Sequence, residues 1–370
     1  MKIVALGLRG FPDVQGGVEA HCRNLYPRLV KLGCEVTVLA RQPYVGSREY
    51  SYEGVTIKPI PCTRNKFLEA FTHTRKGVRV AQGLKPDILH IHAVGPALFV
   101  PMARELGMKV VMTHHGPDYE RKKWNWVAKM VLREGEKRGC VNANEVICIS
   151  KQIALDVKQK FSRDSHVIPN GVMMHERVTT DEVLRKHGLE KGKYILAVGR
   201  FVPEKGFAEL IEAWRGLEPR GVWKLVIVGD ADHEDAYSRK LKEMAAEAPH
   251  VVLTGFLSGM PLAEVYSQAG LFVLPSYYEG LPIVLLEAMS YGLSCVVSDI
   301  PANREVQLSE DRYFNPGDVR AIAQKIKEFM VKPMDETGKA RQRDMVSQRY
   351  DWDKIAQETL RVYQQVIARK

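Results

Sequence analysis

Apolar residues in this chain come in short, nearly continuous runs, separated by longer stretches whose apolar positions recur with helical spacing. In the first half the runs read KIVALGL, EVTVLA, DILHIHA, KVVMTHH and EVICIS. The second half repeats the scheme with KYILAVGR, KLVIVGD, HVVLTGF, LFVLPS and SCVVSD. A strand that is apolar throughout is covered on both faces, and strands alternating with helices belong to parallel sheets. Two such series predict an α/β fold with two doubly wound domains. The break is expected near Gly171, where Pro169, Asn170 and Gly171 precede a polar, charged stretch. That divides the chain into residues 1–170 and 171 onward.

The length supports this division, since 370 residues with 45% hydrophobic and 26% charged content suffice for two cores. The N-terminal run is followed at once by RGFPD, and no segment reaches the ~20 apolar residues of a spanning helix. It reads as a buried first strand. The six cysteines (Cys22, Cys34, Cys62, Cys140, Cys148 and Cys295) form no CxxC pair and no Cys/His cluster. A reducing, cytoplasmic setting is expected, and neither a disulfide framework nor a zinc site. Charge is unevenly spread. Residues 1–170 carry 27 Lys/Arg against 15 Asp/Glu, a balance of +12, while residues 171–370 carry 27 against 29, a balance of −2. A one-sided basic domain points to an anionic partner such as a phospholipid surface, a lipid-linked diphosphate or a nucleic acid; a solubilising surface is the plainer alternative.

In open parallel sheets ligands bind beyond the carboxyl ends of the strands, so the residues there carry the chemistry. After the first strand a Gly-rich loop ends in Gly16-Gly17 at the start of a helix, where free N–H groups and the helix dipole suit a phosphate. The spacing of Gly7 and Gly10 fits neither GxGxxG nor a Walker A loop. After KVVMT stand His114, His115 and Gly116. The second domain opens with AVGRFVPEKGF, placing Arg200 after a strand and Lys205 near a helix start, where two cations would oppose the dipole unless an anion such as a diphosphate joined them; an Arg200–Glu204 ion pair is the alternative. Finally, SYYEGLPIVLLEAMS sets Glu279 in a loop and Glu287 in the second turn of a helix expected to start near Pro282. Eight residues turn a helix through about 800°, so the two carboxylates could not share a face even on one helix. They suit different parts of one extended ligand.

Together the Gly16-Gly17 loop, the THHG at 113–116, the IPNGV linker, GRFVPEKG and the E-x7-E stretch resemble the retaining glycosyltransferases of family 4, which have the GT-B fold of two Rossmann-like domains facing across a cleft. The closing YDWDKIAQETLRVYQQV is similar to the family's C-terminal helix, which would join residues 351–370 to an acceptor-binding domain 1–170, leaving 171–350 as the donor-binding domain. The resemblance implies that Arg200 and Lys205 clamp the diphosphate of a nucleoside-diphosphate sugar, that Glu287 takes the ribose hydroxyls and that Glu279 holds the transferred sugar. Gly16 and Gly17 would face the donor phosphates, and Gly280, Leu281 and Ile283 would complete the donor pocket. His115 matches the active-site histidine better than His114. Gly280-Leu281-Pro282 departs from the family's usual Gly-Phe-Gly, and Pro282 has no N–H to donate.

Departure of a nucleoside diphosphate builds charge that fixed cations and a helix N-terminus can stabilise. No DxD-type Asp cluster stands at a strand end, so no metal or other cofactor is expected. Acceptor binding would fall to the basic first domain. There YERKKWNWVAKMVLREGEKRG combines cations with Trp124 and Trp126, as an interfacial helix on anionic lipid requires, although the tryptophans could instead lie in the core. The expected acceptor is a saccharide or lipid-linked saccharide in cell-surface polysaccharide or glycolipid synthesis, with the enzyme peripheral at the cytoplasmic face of the membrane. A sugar-nucleotide 2-epimerase on the same architecture is the main alternative. A basic nucleic-acid-binding protein is a further one, but no zinc finger, helix-turn-helix or RRM-type motif supports it.

Overall fold

In the computed structural model the chain forms two compact units, Met1–Gly171 with Trp352–Lys370, and Val172–Asp351. The structure describes all residues except 64, 66–67, 121–123, 218–220, 232–233 and 370.

The first unit is built on eight strands: β1 (Lys2–Leu6), β2 (Glu35–Arg41), β3 (Tyr50–Tyr52), β4 (Val55–Ile60), β5 (Ile88–His92), β6 (Val110–His114), β7 (Glu145–Cys148) and β8 (His166–Val167). Their order is β3-β4-β2-β1-β5-β6-β7-β8, parallel throughout except for the β3-β4 hairpin. β5 and β6 are buried at every residue, as strands covered on both faces must be. The helix Trp352–Ala368 packs on the helix Gly17–Lys31, with Trp352, Ile355, Tyr363 and Val366 sharing a core with Leu25, Tyr26 and Leu29. Arg28 Nε donates to Asp353 Oδ1 at 2.8 Å, and Lys109 Nζ donates to the Val366 and Ile367 carbonyls at the end of the closing helix and to that of Arg369 just beyond it. A cation there satisfies acceptors that the helix end leaves open.

The second unit holds β9 (Tyr194–Val198), β10 (Lys224–Val228), β11 (Val251–Gly255), β12 (Leu271–Leu274), β13 (Cys295–Ser298) and β14 (Tyr313–Phe314), all parallel, in the order β11-β10-β9-β12-β13-β14. Phe201, Phe207, Leu210 and Trp214 fill the core on one side of this sheet together with Ile322, Ile326 and Phe329 of the helix Val319–Val331. All ten apolar runs of the sequence are therefore strands, and both sheets are doubly wound.

Gly171 closes the first unit against Trp352: an added Cβ would fall within 2.8 Å of the indole, so no larger residue fits. The next residue, Val172, donates its N–H to the Tyr350 carbonyl at 2.8 Å.

Candidate functional site

The end of β9 and the end of β12 carry the residues of interest in the second unit. After β9 the loop passes Gly199 and Arg200, buries Phe201 edge-on to Phe207 at 6.2 Å, and makes a 3-10 turn over Pro203–Lys205. Gly206 then starts the helix Phe207–Arg215 with φ 67°. This conformation is costly for other residues, and an added Cβ would also collide with the Pro275 carbonyl. The glycine thus lets the β9 loop lie directly on the loop after β12, and a bond from Tyr277 N–H to the Glu204 carbonyl at 2.9 Å fastens the two.

Their contact brings Lys205 and Glu279 together. Lys205 Nζ lies 2.6 Å from Glu279 Oε1, with both side chains largely buried at 15% and 12% exposure. Ser276, fully buried, donates its hydroxyl to the same oxygen at 2.6 Å. Both protein donors therefore converge on Oε1, and among the described residues Oε2 receives no hydrogen bond. Lys205 lies before the helix rather than in its first turn, so its charge is answered by Glu279 and not set against the dipole.

Glu287 stands in the second turn of the helix Ile283–Ser290. Tyr266 donates its hydroxyl to Glu287 Oε2 at 3.0 Å; burial and then the Glu287 charge push this phenol well above its ordinary pKa. Tyr266 is stacked on Tyr291 at 5.4 Å, and Tyr291 on His175 at 5.5 Å, which fixes the hydroxyl. Pro282 precedes the helix instead of opening it, its carbonyl accepting from Leu285 and Leu286. Gly280 is half-buried in the loop, Leu281 is buried, and Ile283 begins the helix. Arg200 is half-buried, two residues beyond β9. The two glutamates thus sit on different elements, as their spacing implied.

In the first unit Gly16, with φ 154°, precedes the helix that begins at Gly17. The loop before it is held by Arg9, whose Nε is 3.2 Å from Glu19 Oε1 and whose Nη2 donates to the Gln15 carbonyl. Burial works to raise the Glu19 carboxyl, but the charge and hydrogen bonds of Arg9 outweigh it and hold the group below its ordinary value.

The doubled histidine separates cleanly. His114 spends both ring nitrogens inside the protein: Nδ1 accepts from Gly116 N–H at 3.0 Å, and Nε2 faces Glu136 Oε1 at 2.9 Å. His115 is half-buried and, among the described residues, bonded only through Nε2, to His92 Nδ1 at 3.0 Å. His21, His92 and His115 have ring nitrogens within 4.8 Å of one another, the spacing of a possible metal trio among the described residues. Two of the three are joined directly to each other, and His21 Nε2 is buried with no hydrogen-bond partner among the described residues.

Burial keeps these rings neutral, His21 at about 4 and His90 at about 3, with His92 and His115 also well below 6.5. Above pH 6.5 folded and unfolded chains are alike in charge at these groups. Below it the unfolded chain takes up protons that the folded chain refuses, so stability falls as the pH drops from 6.5 toward 4, by up to about 1.4 kcal/mol per pH unit for each such histidine. Urea unfolding between pH 7.5 and 4.5 is expected to show a midpoint that declines steadily below 6.5; a flat midpoint would contradict the buried neutral cluster.

Sequence reading did not single out Ser276, Tyr266, His21 or His92. The two histidines of DILHIHA were the available signal, since residues two apart on a strand point to one face at its carboxyl end.

Comparison with known proteins now decides the family. Residues 15–175 match the profile of Glycosyltransferase Family 4, and residues 179–349 that of Glycosyl transferases group 1. The chain belongs to glycosyltransferase family 4. This glycosyltransferase is 28% identical to the phosphatidyl-myo-inositol mannosyltransferase of Mycolicibacterium smegmatis over 96% of its own length and 91% of that protein's. Among solved structures, the sucrose-phosphate synthase of Thermosynechococcus elongatus superposes with a TM-score of 0.85 at 20% identity, over the whole of both chains. HepE of Anabaena, solved with UDP-glucose, gives 0.79 at 18% identity over 99% of this chain and 100% of that one. These likenesses show the GT-B fold for the glycosyltransferase.

Proposed function

We propose that this glycosyltransferase moves a sugar from a nucleoside-diphosphate donor to a saccharide or lipid-linked saccharide, with retention of configuration and without a metal or other cofactor. The carrying observation is the Lys205–Glu279 contact at 2.6 Å, which sets a cation and a carboxylate side by side at the carboxyl ends of β9 and β12. Lys205 and Arg200 would take the diphosphate and stabilise its charge as the glycosidic bond breaks. Glu279, anchored through Oε1, would offer Oε2 to the hydroxyls of the transferred sugar. Glu287, fixed by Tyr266, would hold the ribose, with Gly280, Leu281 and Ile283 shaping the same donor site. Gly16 and Gly17 would face the donor phosphates, and His115 would be the active-site histidine. That HepE binds UDP-glucose and that the Escherichia coli trehalose-6-phosphate enzyme binds a fluorinated UDP-glucose supports a nucleotide-sugar donor here. The test is a panel of nucleotide sugars scored by thermal stabilisation and by release of nucleoside diphosphate; stabilisation by none of them would overturn the reading.

A lipid-linked acceptor is favoured by the helix Trp126–Asn142. Trp126 is 71% exposed, not in the core, and precedes exposed Val127, Met130 and Val131 on adjoining turns, with Lys129, Arg133 and Lys137 on the same helix. Trp124 lies just ahead of the helix, and the cations at 121–123 lie outside the described residues. An exposed apolar stripe among cations suits a membrane interface with anionic lipid. Among the described residues no helix is long and apolar enough to cross a membrane. A Trp126→Ser/Met130→Ser variant is expected to bind phosphatidylglycerol vesicles about tenfold more weakly in co-sedimentation. Equal binding by both proteins would count against the membrane surface.

A further inference from the structure

Three histidines of the first unit gather at the carboxyl ends of its central strands. His21 stands on the helix Gly17–Lys31, His92 ends β5 and His115 directly follows β6, and one ring nitrogen of each lies within 4.8 Å of the other two. The ring centroids are 4.9 Å apart for His21 and His115, 5.3 Å for His92 and His115, and 5.7 Å for His21 and His92. His21 and His92 are buried, and the indole of Trp352 meets the His21 ring at 5.5 Å, so an apolar wall backs the cluster.

The hydrogen bonds around these rings leave each of them a nitrogen that can bind a cation. His21 Nδ1 lies 2.9 Å from Asn170 Oδ1; an amide oxygen only accepts, so the ring carries its proton on Nδ1. Its Nε2 therefore holds a lone pair, and that nitrogen is buried with no hydrogen-bond partner among the described residues, a costly state for a polar atom. His92 Nδ1 and His115 Nε2 face each other at 3.0 Å with one proton between them. Two neutral rings hold two protons in all. With these on the outer nitrogens, His92 Nε2, which lies 2.5 Å from the Tyr26 hydroxyl oxygen, and His115 Nδ1, both facing nitrogens can bind a metal and no proton need leave.

We infer that His21, His92 and His115 form a binding site for a transition-metal ion of the zinc class, with a water completing a tetrahedron. Three imidazoles suit Zn²⁺, Co²⁺, Ni²⁺ or Cu²⁺, whereas Mg²⁺ and Ca²⁺ take oxygen ligands. Nitrogens about 2.0–2.1 Å from zinc stand about 3.3 Å from one another in a tetrahedron. His92 and His115 are already close to that spacing at 3.0 Å, and a tilt of the His21 ring about its bond to Asn170 brings in the third ligand. The Asn170 oxygen fixes the tautomer of His21 in the way that outer partners fix metal-bound histidines. The ion is no part of the proposed transfer, since it would engage His115. The inference goes beyond that function and does not rest on it, because binding is read without donor or acceptor.

The test uses the full chain without an affinity tag, stripped with EDTA and dialysed, at pH 7.5. Zn²⁺ is expected to bind at one ion per chain in competition with a chromophoric chelator, and to raise the unfolding temperature as its concentration rises. Co²⁺ should give the intense visible bands of a four-coordinate ion. In 15N-histidine spectra of the wild type, one equivalent of Zn²⁺ should move three of the eleven histidines most, which reads the site without any substitution. His21→Ala, His92→Gln and His115→Gln, each checked for folding by circular dichroism, should weaken Zn²⁺ binding by more than about a hundredfold, and Asn170→Ala, which keeps all three ligands, by about tenfold. Absence of saturable binding, a six-coordinate cobalt spectrum, largest shifts at histidines outside the trio, or an affinity unmoved in the folded histidine variants would overturn the inference.

Discussion

Lys205→Ala is expected to lower glycosyl transfer by about two to three orders of magnitude, the usual effect of deleting one preorganised group that stabilises transition-state charge. In the proposed reaction charge accumulates on the leaving diphosphate as the bond to the sugar breaks, and a cation already in place needs no reorganisation to meet it. Lys205 is such a cation: its chain runs beside Gly199, where an added Cβ would already press on its Cε at 3.3 Å, and its Nζ is held by Glu279. The side chain contributes little to the core, so the variant should unfold within a few degrees of the wild type. Steady-state kinetics with a saturating donor check the prediction; a kcat within about threefold of wild type would remove Lys205 from the site.

Glu279→Ala is expected to cost about as much, for a different reason. It removes both the anchor of Lys205 and the carboxylate oxygen proposed to meet the sugar, so kcat/KM should fall about 10²- to 10³-fold. Because Lys205 and Glu279 act as one unit, the double variant should be little worse than either single one, a strongly non-additive cycle. Glu279→Gln keeps an oxygen for Ser276 but loses the ion pair, and should fall between wild type and Glu279→Ala. Additive losses in the double variant would mean that the two residues serve separate purposes and that their contact is incidental.

The fold was legible because fully buried strands announce themselves as unbroken apolar runs. Strands that escaped notice lack that mark. β8 and β14 have two residues each, and β4 contains Pro59, which argues against a strand in isolation. Its partner β3 is joined to it through Glu53 and Gly54, with φ 46° and 82°, the tight turn of a hairpin, and Glu-Gly is a weaker signal for it than Asn-Gly or Asp-Gly. The helix expected to begin with Pro282 begins one residue later, as boundaries often shift.

Strand ends could be located from sequence, and so the residues standing there could be named. Their partners could not. Lys205 and Glu279 are separated by 74 residues, and only the close approach allowed at Gly206 brings them into contact. Which histidine of the pair is open to a ligand depends on Glu136 and the Gly116 amide, which claim His114. Tyr363 meets His90 across 273 residues, from a helix whose apolar positions otherwise read as packing alone.

The central claim is metal-independent, retaining transfer from a nucleoside-diphosphate sugar at the Lys205–Glu279 site. It is tested most directly by incubating the purified chain with the donor that stabilises it best and a lipid-linked saccharide acceptor in excess EDTA, and following the anomeric signal of the product by NMR. The account predicts undiminished release of nucleoside diphosphate, a new linkage with the donor's own anomeric configuration, and loss of both in Lys205→Ala. Product of inverted configuration, or transfer that EDTA abolishes and a divalent cation restores, would contradict it.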